Sequence, residues 1–433
     1  MFKKLTIVLI LLLAVLSMAA CADKDTKVVT NLPEQVEEQS VTLDDSKEQP
    51  DDSKEKNPKA AAENSGKTAA AKDKKNVANA GASDKEPAAA ENKKPTPKQA
   101  GVAVDRETYK GYKGPVQGEI KYKEGTPADT NSSSYKAAGD IESPYHVNLT
   151  VTRDYGHTKM FGKEVGLVKD EVGMEVMFRN LDIQTAYGGG FVNKINGLES
   201  KYTFYTGSER KKLDWFYWIN GILAPVGVAE YRPQSGDEIW WDYHNWDVTM
   251  FIPAVIGSYP QPFKNGFLGK NPGTVIMYTD SFQDGAQKLK KSLLNQGVKE
   301  IDTAAYNPSA LENPGKYYIL LGTWGDLSAA SDLLQKTNLK NKLIGVYVKF
   351  ENGKIQALNT KGQTVKTFDD TTGVIYAFAP GIGATRPTWL VTGTDAGGVQ
   401  AALDVLVNNP SSITQFFGAV VTPNGVENVP FMN

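Results

Sequence analysis

The residues best able to do chemistry concentrate in one stretch, Ile239-Trp240-Trp241-Asp242-Tyr243-His244-Asn245-Trp246. Read as a strand, its side chains alternate: Ile239, Trp241, Tyr243 and Asn245 share one face, and Trp240, Asp242, His244 and Trp246 share the other. Ile239, Trp241 and Tyr243 make a natural core face. The opposite face then carries two indoles beside an imidazole and a carboxylate, a set suited to a large planar ligand with an apolar ring and polar edges. The same face is equally suited to packing on a neighbouring domain or to stacking on sugars. His244 is one of three histidines, with His146 and His157, and a neutral imidazole can ligate a metal. It can equally be an ordinary polar strand residue. Upstream, Tyr231-Arg232-Pro233 either contributes to binding or only fixes the loop before the strand.

Signals for catalysis are weaker. There is no Gly-x-Ser-x-Gly elbow and no His-Glu-x-x-His helix, and Gly381-Ile382-Gly383 fits neither a phosphate loop nor a dinucleotide fingerprint. A hydrolase would need acids clustered at strand ends. The single cysteine excludes an internal disulfide, a Cys-cluster zinc site and an iron–sulfur centre. With 48 Lys+Arg against 50 Asp+Glu there is no basic field to draw the chain onto nucleic acid. The expectation is a protein that is not an enzyme, without prosthetic group or metal, and without a nucleic-acid partner.

The elements that must position the aromatic stripe begin at Val147, where Val147, Leu149 and Val151 alternate as in a half-buried strand. An amphipathic helix is predicted over Glu171–Leu181, with Val176 and Met177 on its buried face. Two hairpins follow, turning at Asn196-Gly197 and at Asn220-Gly221, each flanked by strand residues. One helix against four or five short strands over 145–252 predicts a small β-grasp-like α+β domain. After a Gly/Pro-rich stretch, three strand-turn-helix units start at Thr274, Tyr317 and Trp389, and a hairpin turns at Asn352-Gly353. These predict an α/β layered domain with a mainly parallel sheet over 253–433, in which Gly393-Thr394-Asp395 supplies a helix cap. The fold class is therefore α+β multidomain.

The N-terminal part reads differently. Lys3-Lys4, the apolar run Leu5–Leu16 and the slim residues before Cys21 resemble a bacterial lipoprotein signal, with Met18 where leucine is commoner. That resemblance implies a cleaved segment 1–20 and a lipid on Cys21. The other reading is an uncleaved anchor, and both place the rest of the chain outside the cytoplasm. Residues 21–103 are rich in Lys, Glu, Asp, Ala, Pro, Asn and Ser and lack the apolar residues needed to build a core, which predicts a disordered tether. Its random-coil reach is roughly 50 Å. Residues 104–144, still rich in Gly, Ser, Thr and Asn, are predicted to form a loosely packed lead-in.

One ordered run of motifs carries a family resemblance: Gly190-Phe191, Ile195-Asn196-Gly197, Trp215 to Gly221, Gly227, Tyr231-Arg232-Pro233 and Gly236-Asp237-Glu238-Ile239. It is similar to the transcobalamin-like C-terminal domain, the small β-domain of vertebrate cobalamin carriers, which also occurs in bacterial surface proteins. The resemblance implies a β-grasp-like fold and contact with a corrinoid. In the carriers a helical barrel closes the other side of the ligand, and no such sequence is present here. Joined to the lipid anchor, the resemblance leads to the expectation of a membrane-tethered protein that binds cobalamin or a related corrinoid and presents it to a vitamin importer. Trp240, Asp242, His244, Trp246, Tyr231 and Arg232 are the candidate contacts, with His244 a possible cobalt ligand. The alternative is a cell-surface module that holds wall glycan or a protein partner.

Overall fold

The computed structural model describes residues 133–186, 191–203, 205–369 and 371–432. All of these fall in one compact unit, Asp52–Asn433. The signal segment, Cys21, the tether and the first part of the lead-in lie outside the described residues. Among the described residues, no helix is long and apolar enough to cross a membrane.

The first domain contains β1 (Ser133–Tyr135), β2 (His146–Arg153), β3 (Thr158–Gly166), α1 (Gly173–Asn180), β4 (Ile183–Ala186), β5 (Phe191–Ile195), β6 (Leu198–Glu199), β7 (Leu213–Ile219), β8 (Ile222–Leu223) and β9 (Glu238–Asn245). Its main sheet runs β3-β2-β9-β7-β8. The β2 and β9 strands are parallel neighbours at its centre, and the pairs outside them are antiparallel. A hairpin, a helix and a returning central strand make the β-grasp arrangement expected from the motifs. The predicted turns form because Asn196 and Asn220 tolerate left-handed backbone, with φ of 46° and 52°. A second sheet, β1-β4-β5-β6, was not anticipated. Its strand β1 pairs with β4, so part of the expected lead-in is built into the domain.

The second domain contains β10 (Thr274–Tyr278), α2 (Gln283–Asn295), β11 (Ile301–Ala305), β12 (Tyr317–Leu321), α3 (Trp324–Ala329), α4 (Asp332–Leu339), β13 (Val348–Glu351), β14 (Lys354–Leu358), β15 (Thr364–Phe368), β16 (Gly373–Phe378), β17 (Thr388–Gly393), α5 (Ala396–Asn408), β18 (Gly418–Thr422) and β19 (Gly425–Val429). Its seven-stranded sheet runs β11-β10-β12-β17-β16-β18-β19. The first four strands are parallel, as three strand-turn-helix units require. The remaining pairs are antiparallel: β16 lies between β17 and β18 and runs against both, which are joined by the α5 crossover and so share one direction, and β19 returns from β18 through a tight turn. Asp395 caps α5 as expected, its carboxylate accepting from Gly398 N at 2.7 Å. The unit that starts at Tyr317 ends in two helices, since Ser331 breaks the run and caps α4 through its hydroxyl, which accepts from Leu334 N.

The two domains are welded through one face of the grasp sheet. Trp218, Leu223 and Trp240 share one hydrophobic cluster with Leu320, Tyr376, Leu390 and Phe417 of the second domain. The Gly/Pro-rich connection contributes to this join: Trp218 Nε1 donates to Ile252 O at 2.9 Å, and the Phe263 ring sits 5.1 Å from that of Trp389.

Candidate functional site

Both faces of β9 are buried, so the predicted ligand face is closed to solvent along the strand, and Trp246, just past its end, is the part of that face left partly exposed. Trp240 and Asp242 are 0% exposed and His244 is 1% exposed. The period-two reading of the strand holds, and the domain-packing reading of its second face is the one realised. His244 lies between two rings, Tyr155 at 4.6 Å and Phe216 at 4.6 Å, with Phe417 edge-on at 5.8 Å. A hydrogen bond of 2.8 Å joins its Nδ1 to Asp242 Oδ1. Enclosed in this way it is not placed to ligate an incoming metal, which corrects the cobalt-ligand expectation.

Asp242 has a structural task. The β2–β3 turn places Asp154, Tyr155 and Gly156 in left-handed conformations, with φ of 62°, 57° and 81°. Successive N–H groups in such a turn converge on an anion. Here Tyr155 N donates to Asp242 Oδ1 at 3.0 Å and Gly156 N to Oδ2 at 2.8 Å. The Thr152 hydroxyl also bonds Oδ2 and accepts from Trp240 Nε1 at 2.8 Å. Gly156 has to be glycine on two counts, because an added Cβ would also lie 1.9 Å from Gln415 O of the second domain.

Tyr231 is likewise part of the framework. It is buried and its hydroxyl donates to Asp237 Oδ2 at 2.6 Å; Asp237 also accepts from Gln234 N and Asn220 Nδ2. Arg232 is exposed and its Nη1 donates to Asp170 O, which ties the loop to the start of α1. Neither contacts the groove described next.

Of the predicted contacts, Trp246 alone lines an open site. It sits on a groove of about 340 Å³, with Trp241, Phe191 and Tyr202 of the first domain, Met250 and Phe251 of the connection, and Ile382 of the second domain. That volume is at the lower end of small-ligand pockets, roughly 300–1,000 Å³. The Tyr202 ring meets the Trp246 ring edge-on at 4.7 Å. Arg210 covers the Tyr202 ring at 3.7 Å and the Lys212 ammonium lies 5.2 Å from the Trp246 ring, so the aromatic wall has a cationic rim. The indole nitrogens of Trp241 and Trp246 have no hydrogen-bond partner among the described residues. Alternation along the strand assigned Trp241 to the core; it is largely buried, as are Trp215 and Tyr217, but each of the three also floors this groove. Ile382 stands alone as an apolar residue in a Gly-bounded loop, the one trace of its role in the sequence, and it is 54% exposed.

Most of the groove's first-domain wall, from Phe191 to Trp241, lies in the segment running from the start of α1 to the end of β9. A family model described as a domain of unknown function, DUF4430, matches residues 170–245. Those residues are a DUF4430 domain. The DUF4430 segment therefore supplies the floor and one wall, while Trp246, the connection and Ile382 complete the groove outside it. No curated protein matches the chain. Among the described residues, no group of three or more His, Cys, Asp or Glu side chains is placed to hold a metal ion.

Asp214 is the titratable group on the floor of the DUF4430 groove. Burial pushes its carboxyl up to about 6, against hydrogen bonds from Trp215 N and Ser200 and the charge of Arg210. The folded chain thus holds this proton more tightly than the unfolded chain. The resulting stabilisation is fully present below about pH 4 and is lost as pH rises through about 6, a change on the order of 2–3 kcal/mol. Denaturation midpoints of the wild type and Asp214→Asn should therefore diverge between pH 4 and 7, with the variant gaining on the wild type as pH rises. Parallel profiles would refute this assignment.

Proposed function

We propose that the chain is a non-enzymatic binding protein outside the cytoplasm, lipid-anchored through Cys21, that grips cobalamin or a related corrinoid in the aromatic groove for transfer to a membrane importer. The observation that supports this reading is the groove itself, a concave aromatic surface built by both domains and rimmed by Arg210 and Lys212. A whole cobalamin exceeds the groove's volume, so one edge enters and the remainder stays exposed for a receiving protein. Affinity then rests on apolar contact with Trp246, Tyr202 and Phe191. The cationic rim suits the phosphodiester of cobalamin, which cobinamide lacks.

Calorimetric titration of the full chain with cyanocobalamin and cobinamide tests this. Saturable one-to-one binding is expected, tighter for cyanocobalamin and less so at high salt, with the visible spectrum showing no protein ligand to cobalt because His244 is enclosed. Trp246→Ala should weaken binding about tenfold or more with little change in unfolding midpoint, since loss of a central aromatic anchor costs on the order of 2 kcal/mol. No heat with either corrinoid, together with retention on wall glycan, would replace this reading with that of a glycan-holding surface module.

A further inference from the structure

One face of the second domain takes no part in ligand capture. The chain is nearly neutral, with a formal net charge of -2, yet from Asp332 to Asp370 it carries seven lysines against four acids, three of which, Asp332, Asp369 and Asp370, stand at the two ends of the stretch. The topology gathers this segment into α4, the turn after it and the sheet β13-β14-β15. These elements form a shallow groove of about 450 Å³ in which Lys340, Lys342 and Lys349 alternate with Leu339, Leu343 and Leu358. Leu339 is 75% exposed and Leu343 45%. Lys349, Lys354 and Lys366 each pair with a carboxylate. Among the described residues, Lys336, Lys340, Lys342 and Lys361 form no ion pair.

Unpaired ammonium groups beside a projecting leucine pair satisfy a layered environment: anionic groups at one depth and hydrocarbon just beneath. Lysine's long stem lets the charge stay at headgroup level while a neighbouring leucine goes deeper. We propose that this face docks on an anionic phospholipid bilayer, with the lysines against lipid phosphates and Leu339 and Leu343 in the interface. Charge alone would suit any polyanion. The exposed leucines favour lipid, because a dissolved polyanion gives them nothing to enter. A cluster of about four to eight lysines flanking an amphipathic helix is the charge density that anionic leaflets attract.

The test mixes the full chain with nanodiscs of phosphatidylcholine alone, or of phosphatidylcholine with phosphatidylglycerol, and follows amide hydrogen exchange over residues 332–366. Exchange in α4 and the following turn should slow about tenfold or more on the phosphatidylglycerol discs only, and recover in high salt. The quadruple change Lys336→Ala, Lys340→Ala, Lys342→Ala and Lys361→Ala should abolish most of that protection, as should Leu339→Ser with Leu343→Ser. All six side chains are at the surface, so both variants should keep the wild-type denaturation midpoint. Equal exchange on the two kinds of disc would overturn the proposal. So would protection by soluble polyphosphate that is indifferent to the leucine pair, since that would assign the face to a polyanion.

Discussion

Glu171→Ala is expected to cost about 3–5 kcal/mol of stability, because it strands a buried guanidinium. Arg179 is fully enclosed on α1. Its Nε donates to Glu171 Oε1 at 2.8 Å and its Nη2 to Glu171 Oε2 at 2.7 Å, while Nη2 also reaches Gly166 O at 2.7 Å. Asp140 pairs with Nη1 at 3.6 Å and remains as a partial counter-charge, but it does not restore the two bonds lost at Nε and Nη2. The pair fixes α1 against the end of β3, so the loss should appear in the denaturation midpoint of the whole molecule. Glu171→Ala combined with Arg179→Met should recover a large part of it, since an apolar side chain of similar length leaves no buried charge. A double variant as unstable as the single one would show that the charge is not the source of the cost.

Asp242→Ala is expected to be as damaging, again about 3–5 kcal/mol, and for a different reason. The change orphans the N–H groups of Tyr155 and Gly156, removes the carboxylate bonded to His244 Nδ1 and takes one of the partners of the Thr152 hydroxyl, all in a closed interior. It also frees a turn that has three successive left-handed residues and no other anion to hold it. The turn in turn anchors the second domain: Tyr155 O accepts from Asn428 Nδ2 at 2.9 Å, and His157 Nε2 lies 2.8 Å from Pro430 O. The affected amides should therefore include those around Asn428 and Pro430, far away in sequence, as hydrogen exchange would show. A variant whose extra exchange stays within β9 and the β2–β3 turn would contradict this coupling.

Local grammar made much of this fold readable. Asn-Gly pairs marked their turns because asparagine and glycine accept left-handed backbone cheaply, and the alternation in Ile239 to Trp246 gave the right two faces. The use of the second face could not be read from the strand alone. A stripe of Trp240, Asp242 and His244 has the composition of a binding surface and equally of a sealed polar core; the choice depends on Tyr155 and Phe417, which lie 87 residues before and 175 after Asp242 in the chain. The groove escaped notice for the same reason. Trp246, Tyr202 and Ile382 come from three separated segments, and only tertiary folding brings them to one place. The antiparallel half of the second domain left little trace beside the three conspicuous strand-turn-helix units, because β16 inserts between β17 and β18, whose link through α5 reads as one more parallel crossover.

The shared core beneath Trp218 and Trp240 bears on modularity. A domain whose outer sheet face is two indoles, a carboxylate and an imidazole cannot be lifted out and transplanted: exposed, that face would be an adhesive surface with a loosened turn at its edge. Any chain that uses the DUF4430 segment without a covering layer must therefore carry different residues at the positions equivalent to Trp218, Trp240, Asp242 and His244. Those four positions, more than the overall motif pattern, would distinguish a segment of this kind that stands alone from one that, as here, shares its core with a second layer.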